Sequence, residues 1–511
     1  MRTKLHLRRR RTAVPAQEKA LAALLPRLAL TQQGRADGIE SGAKPAQFAR
    51  RVPVRFHADY APLIERMIRG EPDVLWPGRC AFFAESAGTA TGTPKLVPMT
   101  EEMFAHFRQA ELDALLYYTA RVGHGGIFRG RHLLLNGSTV LTPIEGIKEH
   151  EAYRGNLGGI ITLNLPKWAE RHFLEPGAEI SRLPEWGARL AATVARTRAR
   201  DVTLLAGIPR WLVGFAEAML ADQSNARTQP QHLQAIWPNL ECVIVGGTAL
   251  PPFTTELRRL CGPEVKSHQV YPAVEGFIAA QDADPQQGLR LLCNAGIYYE
   301  FIPIADFDAS RPDRLAEKAV PLAGVKTGVD YALLMTTPAG LCRYVVGDVV
   351  RFTGTEPPRI IYVGRTDLQL NSCGERVHEH DLTSALVRVC ERHRWTIINF
   401  HVAPLKPTAA GPARGRHEWW IELRPGTVNT PTGPLFESEL DTELRQLTPL
   451  YDTLRNQGVL EAPLARLVMP GTFAHWMKFA GVHDAHCKMP RCRGDRIVAD
   501  EFAQIARFNP E

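Results

Sequence analysis

The middle of the chain alternates between short apolar runs and stretches with helical periodicity. Runs typical of strands occupy residues 131–135, 202–206 and 242–245, and residues 211–220 and 254–260 have the spacing of helices. This alternation predicts a layered α/β domain with a largely parallel sheet. Because 511 residues exceed one ordinary core, we expect two or more domains.

The pattern changes towards the C-terminus, which indicates a second domain. After residue 290 the predicted elements are strands at 297–303, 331–336, 348–353 and 359–363, then a helix at 380–391, strands at 396–401 and 418–423, and one helix at 437–457. We place a boundary near residues 364–372. The predicted domains are residues 1–365 and residues 366–511.

Charge and composition argue against a nucleic-acid or membrane partner. The formal net charge is +7, but residues 1–12 hold six positive charges and no acid, which leaves the rest near neutral. Such a basic end is typical of a solvated terminus. No apolar run is long enough to cross a membrane, and nine scattered cysteines without a CxxC pair fit reduced thiols. We expect a cytoplasmic monomer or weak oligomer.

The segment 85–95 is small, hydroxyl-rich and glycine-punctuated, follows an apolar run, and closes on Lys95. Glycines let the backbone approach an anion, while hydroxyls, amides and the lysine attract phosphate. An ordinary surface turn remains open as an alternative. The segment is not a Walker loop, because Thr93 and Pro94 separate Gly92 from Lys95.

Four further segments carry groups suited to a nucleotide, each with an ordinary structural alternative. Tyr271 can stack on a purine or pack in the core, and Glu275 can hold Mg²⁺ or an exocyclic amine, or cap a helix. Asp348 can accept ribose hydroxyls or belong to a simple Gly-Asp turn. Arg365 lies at the proposed boundary, where a surface ion pair is the alternative. Lys488 lies in a basic segment that is otherwise a solvated loop.

Taken together, these segments resemble the adenylate-forming acyl-acid amido synthetases, the family that includes plant auxin- and jasmonate-conjugating enzymes. The loop at 86–95 is similar to the family's Ser-Ser-Gly-Thr phosphate loop. Further segments follow in the family's order and cover nearly the whole chain. Residues 271–276 are similar to the family's Tyr-x-x-x-Glu-Gly. Tyr-Glu-Phe-Ile-Pro at 299–303 is similar to its Phe-Glu-Phe-Ile-Pro, and Gly-Leu-Cys-Arg-Tyr-Val-Val-Gly-Asp at 340–348 to its Gly-Leu-Tyr-Arg-Tyr-Arg-Val-Gly-Asp. Residues 471–473 are similar to its Gly-Thr-Phe, and residues 488–492 to its Lys-x-Pro-Arg-Cys.

The resemblance implies an acyl-adenylating fold. Its large layered N-terminal α/β domain of sheets and helices, residues 1–365, would bind ATP and the acyl substrate, and its small mobile α+β C-terminal domain, residues 366–511, would be a lid. It implies that Lys95 and Lys488 are catalytic and that Glu275 lies beside Mg²⁺. The implied ATP-binding residues are Ser86, Gly88, Thr89, Tyr271, Asp348 and Arg365.

The implied reaction is ATP-dependent adenylation of a small carboxylic acid, followed by acyl transfer to an amino acid with release of AMP. A mobile lysine and Mg²⁺ would stabilise charge where two anions meet. Two alternatives stay open: an adenylating ligase with a thiol or hydroxyl acceptor, such as a coenzyme A ligase, and a non-catalytic acyl-acid-binding protein.

Four positions depart from the family pattern. Ala87 replaces a hydroxyl of the phosphate loop, Ala273 and Val274 replace small hydroxyl residues, and Val345 replaces an arginine. Each lost neutral hydrogen bond is worth about 0.5–1.5 kcal/mol, so these changes weaken ATP binding without abolishing it. Because the charged groups Lys95, Glu275, Asp348 and Lys488 all remain, we expect an active enzyme.

Overall fold

The structure, a computed structural model, describes residues 13–86, 95–144, 151–222, 230–405, 414–424, 431–479 and 489–505. Its contacts divide the chain into two compact units. Unit one comprises residues 1–88, 93–248 and 257–361, and unit two comprises residues 89–92, 249–256 and 362–511. The predicted roles of the two domains, a nucleotide-binding body and a lid, stay predictions.

Residues 13–365 begin with four helices, continue with mixed helices and strands, and end mostly in strands. The helices are α1 (Ala13–Leu28), α2 (Gln32–Ala36), α3 (Pro45–Arg51), α4 (His57–Ile68), α5 (Glu101–Val122), α6 (Leu157–Leu163), α7 (Lys167–Phe173), α8 (Ala178–Ser181), α9 (Trp186–Thr197), α10 (Pro209–Ala221), α11 (Thr254–Cys261) and α12 (Pro312–Lys318). Among the residues described, no helix is both long and apolar enough to cross a membrane.

The strands of the same region are β1 (Phe82–Glu85), β2 (Leu96–Pro98), β3 (Arg131–Leu135), β4 (Thr142–Pro143), β5 (Tyr153–Asn156), β6 (Leu174–Glu175), β7 (Val202–Gly207), β8 (Cys242–Val245), β9 (Lys266–Ala273), β10 (Gly276–Ala280), β11 (Leu289–Leu291), β12 (Tyr298–Pro303), β13 (Val320–Pro321), β14 (Asp330–Thr336), β15 (Tyr344–Thr355) and β16 (Pro358–Arg365). β1, β2, β4 and β5 form a small sheet in the order β2-β1-β5-β4.

The other twelve strands form one mixed sheet in the order β13-β12-β14-β15-β16-β11-β10-β9-β8-β7-β3-β6. The neighbours from β6 to β9 run parallel, with helices as crossovers. The pairs β9–β10, β10–β11, β11–β16, β14–β15, β12–β14 and β12–β13 are antiparallel. The prediction of a largely parallel sheet is therefore right only for the half that ends with β9.

The change of direction occurs at the turn between β9 and β10. Ala273 pairs with Gly276, so only Val274 and Glu275 connect the two strands. A two-residue connection leaves no room for a crossover helix and makes the pair antiparallel. Glu275 consequently lies at the carboxyl end of the last parallel strand, the edge where open α/β sheets bind their ligands.

Helix α5 is defined by clear signals at both ends. The Thr100 hydroxyl accepts the Met103 N–H at 3.1 Å, and Glu101 and Glu102 in the first turn favour the helix dipole. The helix ends at Gly123, whose φ of 86° suits glycine. One face of α5 packs into the main core of unit one through Phe104, Phe107, Ala110 and other buried residues.

Unit two contains a three-stranded sheet with helices packed around it. Its strands are β17 (Gln369–Leu370), β18 (Val377–His378), β19 (Ile397–Leu405), β20 (Arg416–Leu423) and β21 (Leu464–Val468), of which β17 pairs with β18 and the others form the order β19-β20-β21. Its helices are α13 (Glu379–His393), α14 (Gly433–Leu447), α15 (Pro449–Asn456), α16 (Thr472–Phe479) and α17 (Ile497–Ile505).

The single helix predicted at 437–457 is wrong. The structure has two helices, which meet at Thr448 and Pro449. Proline has no backbone N–H and disfavours helical geometry in the residue before it. Thr448 accordingly has extended backbone angles, with φ −128° and ψ 98°, and Pro449 begins the second helix.

A buried carboxylate organises the start of unit two. Glu375 accepts the backbone N–H groups of Ser372 at 3.0 Å and Cys373 at 2.7 Å. It also lies 3.1 Å from Nε2 of the fully buried His417 on β20. Burial alone raises the pKa of this carboxyl, but the His417 ring and the donated N–H groups outweigh it and lower the pKa to about 2.

We expect unit two to lose stability in acid because of Glu375. A carboxyl whose folded pKa lies below its unfolded value stabilises the fold above the unfolded pKa, and this contribution disappears as pH falls from about 4.5 to about 2. The measurement is urea unfolding at pH 6 and pH 3, followed by tryptophan fluorescence. Glu375→Gln should be less stable at pH 6 and should lose less between the two pH values. Equal losses in both proteins would contradict the assignment.

Candidate active site

Glu275 is the centre of the candidate site. Its carboxylate is buried, and Oε1 accepts the Tyr344 hydroxyl at 3.2 Å. Burial raises the pKa of Glu275, the charge of Asp348 raises it further, and the charge of Lys95 opposes both. Tyr344, which bonds to Glu275, and Asp348 belong to the same strand, β15, and Lys95 is close enough for its charge to act on Glu275. The structure thus brings together three residues predicted from separate motifs.

Asp348 is aimed into this region by an irregularity in β15. Ala332 pairs with Val349 and Leu334 pairs with Val345, so β15 carries two extra residues at this point. Gly347, with φ 90°, provides the left-handed backbone that the bulge requires. The Tyr271 hydroxyl donates a hydrogen bond to Asp348 Oδ2. Tyr271 and Asp348 are therefore neighbours, as a shared nucleoside site requires.

The ends of the predicted phosphate loop are held together. Ser86 N–H donates to the Lys95 carbonyl at 2.8 Å, and Lys95 N–H donates to Ser86 Oγ at 3.2 Å. These bonds extend the β1–β2 pairing, so the two ends of the loop, Ser86 and Lys95, lie next to each other. The Ser86 hydroxyl takes part in this closure. Gly88, Thr89 and Ala87 lie outside the described residues, and their predicted roles stay predictions.

Two histidines that we did not single out from the sequence form hydrogen bonds to the backbone next to the candidate site. His106 of α5 donates from Nδ1 to the Ala295 carbonyl at 2.6 Å, and its Nε2 accepts the Phe277 N–H at 2.8 Å. Burial lowers the pKa of His106 to about 4, which keeps the ring neutral, and the two hydrogen bonds fix its tautomer. His57 lies 3.2 Å from the Leu96 carbonyl, next to Lys95.

Gly276 explains why His106 can approach the turn so closely. A Cβ atom at Gly276 would lie 2.3 Å from Ile297 Cδ1 and 3.3 Å from His106 Nε2. No other residue fits there without displacing the core. His106 is thus a positioning residue for the turn that carries Glu275. A histidine buried on a helix gives no sequence signal that distinguishes this role from ordinary core packing.

The remaining predicted residues belong to unit two. Arg365 ends β16, is half-buried, and its Nε lies 3.4 Å from Asp367 Oδ1. Lys488 lies outside the described residues, but the Pro-Arg-Cys that follows is anchored on β19. Val402 N–H donates to the Arg491 carbonyl at 2.8 Å, and the Pro490 carbonyl lies 2.7 Å from His401 Nδ1.

The donor chemistry at Glu275 suits Mg²⁺. Among the described residues there is no group of three or more His, Cys, Asp or Glu side chains that could hold a metal alone. Mg²⁺ beside a nucleotide usually takes one or two carboxylates, with phosphate oxygens and waters completing its shell. A buried carboxylate whose pKa is raised by burial and by the charge of a second carboxylate is stabilised by such a cation.

Two of the recognised motifs are structural. Arg343 and Glu300 form a fully buried ion pair in which Arg343 Nε lies 3.0 Å from Glu300 Oε2. Arg343 also donates to the carbonyls of Ala49, Val52 and Ala316. The Gly-Thr-Phe motif places two N–H groups, those of Gly471 and Phe473, on the carboxylate of Glu422.

The departure at Val345 is also accounted for. Its side chain is buried in an apolar cluster with Val54, Ile302 and Leu334. It contributes packing at a position where the family pattern has a charge. Ala273 and Val274 pack partly against the main core of unit one, so neither offers a polar side chain to the site.

The architecture is that of the adenylate-forming enzymes, which confirms the predicted fold class. The solved structure of 2-hydroxyisobutyryl-CoA ligase in the postadenylation state matches with a TM-score of 0.59 at 14% identity, over 96% of this chain and 91% of the ligase. The structure of AtGH3.15 acyl acid amido synthetase in complex with 2,4-DB matches with a TM-score of 0.75 at 19% identity, over 99% and 95%.

The chain belongs to the GH3 family. Models of the GH3 N-terminal, central and C-terminal domains match residues 7–149, 290–365 and 380–497, in that order. The indole-3-acetic acid-amido synthetase GH3.15 of Arabidopsis thaliana is 25% identical over 96% of this chain and 92% of its own length. GH3.8 of Oryza sativa subsp. indica, with the same activity in its name, is 25% identical over 93% and 87%. The resemblance stated from the motifs is confirmed.

Proposed function

We propose that this protein is an ATP- and Mg²⁺-dependent ligase that adenylates a small carboxylic acid and transfers the acyl group to an amino acid. The observation that carries the proposal is the convergence of Glu275, Asp348, Tyr271 and Lys95 at the turn where the sheet changes from parallel to antiparallel. Membership of a family whose named relatives are amido synthetases supports the same reaction.

The residues divide between the two ends of the nucleotide. Asp348, beside the Tyr271 hydroxyl, accepts the ribose hydroxyls, and the Tyr271 ring flanks the base. Lys95 and the loop that it closes would take the phosphates. Glu275 would hold Mg²⁺, which would supply positive charge to neutralise the phosphates. This arrangement puts positive charge where the acid must approach an anion.

Two bond exchanges make up the reaction. A carboxylate oxygen of the acid attacks the α-phosphorus, and pyrophosphate leaves. The acceptor amine then attacks the acyl carbonyl, and the bond to AMP breaks. Lys488 stabilises the charge that develops at the α-phosphate in the first exchange, and Arg365 contacts the nucleotide. Exclusion of water protects the mixed anhydride between the two steps.

An amide product is preferred to a thioester. The relatives matched over nearly their full lengths are named amido synthetases, and the solved amido synthetase has the higher TM-score of the two structures compared. A coenzyme A ligase is the second candidate, since the fold also serves 2-hydroxyisobutyryl-CoA ligase. The protein acts on small molecules in the cytoplasm as a monomer or weak oligomer, without a nucleic-acid or membrane partner.

Lys95→Ala and Lys488→Ala should each slow acid-dependent pyrophosphate release by about 100-fold or more, because loss of one preorganised charged donor costs about that factor. The measurement is initial-rate pyrophosphate release at saturating ATP. Lys326→Ala, which removes an exposed lysine of unit one, is the matched control and should leave the rate unchanged. If both site variants release pyrophosphate at the normal rate, the enzymatic assignment is wrong.

A matrix of acids against amino acids tests the overall reaction and identifies its substrates. AMP formation finds the productive pairs, and the mass of the product identifies the bond formed. An amide confirms the proposal. A coenzyme A thioester formed in place of the amide would transfer the assignment to the second candidate. Binding of an acid without any AMP would indicate a non-catalytic acyl-acid-binding protein.

A further inference from the structure

Helix α5 connects the candidate site to the start of the parallel strands. Near its N-terminal end, His106 bonds to Phe277 beyond the turn of Glu275. At its C-terminal end, Arg121 donates to the carbonyl of Ser267, at the start of β9, at 2.8 Å. Helix α5 therefore runs antiparallel to β9. Its first turns lie at the carboxyl edge of the parallel strands, and its last turn lies at the opposite edge.

One stripe of α5 covers the parallel strands. Leu115, Tyr118 and Val122 belong to an apolar cluster with residues of β3, β7 and β8. The Tyr118 hydroxyl also donates to the Glu241 carbonyl, immediately before β8, at 3.0 Å. Glu111 is one turn before Leu115 and continues the same i, i+4, i+7, i+11 stripe. A carboxylate thus occupies the position of the stripe closest to the carboxyl edge.

The surroundings of Glu111 do little to stabilise its negative charge. The residue is half-buried, and among the described residues no hydrogen bond or ion pair reaches its carboxylate. Burial raises the pKa of Glu111 to about 7, and the charge of Arg108, one turn away, only partly opposes the shift. The facing ends of the parallel strands, Leu134–Leu135, Ala206–Gly207 and Ile244–Val245, carry no titratable group.

Glycines let the strand ends at this edge pack closely against their neighbours. A Cβ atom at Gly207 would lie 3.1 Å from Leu135 Cβ, and one at Gly246 would lie 2.9 Å from Val270 Cγ2, so no larger side chain from these two positions covers the edge. Glu111 is five residues from His106, about 7.5 Å along the helix axis. Because the first turns of α5 lie at the carboxyl edge of the parallel strands, Glu111 lies towards the same edge of the sheet as Glu275. His106 joins this helix to the turn that carries Glu275 through its bond to Phe277.

We propose that Glu111 receives the acceptor amino acid: its carboxylate binds the ammonium group and takes one proton from the amine as the amide forms. This inference rests on the proposed function and adds the residue that serves its second step. In that step the ammonium ion loses two protons. The first goes to a Glu111 oxygen and frees the lone pair of the nitrogen. The nitrogen then bonds to the acyl carbonyl carbon, the bond from that carbon to the AMP oxygen breaks, and the second proton goes to the phosphate of the departing AMP, so atoms and charge balance without another reactant.

The chemistry requires such a group because an amino acid enters as an ammonium ion, which has no lone pair for attack. Neither Lys95 nor Lys488 can attract a cation, and Glu275 and Asp348 are committed to the nucleotide. Glu111 lies at the same edge and is outside that set, and no side chain in the described part of the chain forms a hydrogen bond or ion pair with its carboxylate. A base with a pKa near the working pH is the efficient choice for proton transfer.

Glu111→Gln separates the two steps. Acid-dependent pyrophosphate release without amino acid should stay within about twofold of the wild type, while amide formation should fall about 100-fold, the contribution typical of a general base. Hydroxylamine, a nucleophile that is neutral near pH 7, should form the hydroxamate at the same rate in both proteins. The deficit in amide formation should shrink as pH rises, because more of the amino acid is then already deprotonated.

Glu101→Gln, on the exposed first turn of the same helix, is the matched control and should behave like the wild type. Normal amide formation by Glu111→Gln would overturn the inference, and so would an equal loss in the pyrophosphate and hydroxylamine assays, since that pattern indicates an acid-binding or structural role. Failure of the wild type to release pyrophosphate with any acid would instead overturn the proposed function itself, and this inference with it.

Discussion

Glu275→Gln is expected to reduce acid-dependent pyrophosphate release by about 100-fold or more and to leave the protein at least as stable as the wild type. The amide keeps the shape of the side chain and an oxygen that accepts the Tyr344 hydroxyl. It removes the negative charge that, in the proposed mechanism, holds Mg²⁺ against the phosphates, and the loss of such an electrostatic contribution usually has an effect of this size.

The stability gain has a separate physical cause. Burial and the neighbouring Asp348 both raise the pKa of Glu275, which means that the folded protein holds this charge at a cost. A neutral amide removes that cost. We expect the melting temperature of the variant to rise by about 1–3 °C in the absence of ligand. Opposite changes in rate and stability are the signature of a residue retained for function.

The measurements are pyrophosphate release over a range of Mg²⁺ concentrations and thermal unfolding without nucleotide. Glu317→Gln makes the same substitution at an exposed position of α12 and should change neither result. Full activity of Glu275→Gln at every Mg²⁺ concentration would remove Glu275 from the site. A large fall in melting temperature would show that the carboxylate serves the fold.

The sequence motifs indicated candidate site residues because each carries its own local signal. Asp348 follows Gly347 and Glu275 precedes Gly276, and the structure uses these glycines for a bulge and for a close contact behind a turn. Motif order then indicated that distant segments meet. Geometry was not predictable in this way, since the bond between Tyr271 and Asp348 depends on the register of strands far apart in the chain.

What the sequence missed is explained by long-range packing. The β9–β10 hairpin reverses the sheet through only Val274 and Glu275, and nothing in these two residues distinguishes a hairpin from any other turn. His106 is a buried core histidine, and the sequence around it shows nothing more. Its positioning role depends on hydrogen bonds to Phe277 and Ala295, which lie far away in the sequence. Pro449 is different: the signal that breaks the helix was present in the sequence, and helical periodicity on both sides obscured it.

Arg343→Met is expected to destabilise unit one by about 3–5 kcal/mol, because removal of one partner leaves the other charge buried and uncompensated. Arg343 and Glu300 are both fully buried, and their nearest atoms are 3.0 Å apart. The substitution also leaves the carbonyls of Ala49, Val52 and Ala316 without this donor. The measurement is urea unfolding, and Arg351→Met, which breaks the partly exposed pair with Asp330, is the control with a smaller expected loss.

Glu300→Gln should cost less than Arg343→Met, since the guanidinium keeps its three carbonyl acceptors and the Gln oxygen still accepts from Nε. The two substitutions should be non-additive when combined, because the second removes a charge that the first has already left unpaired. Folded Glu300→Gln protein should adenylate the acid at the wild-type rate. If the Arg343–Glu300 pair only joins the N-terminal segment to the sheet, a substitution can lower activity only by lowering the amount of folded protein. Reduced activity with unchanged stability would instead make the pair part of the catalytic machinery.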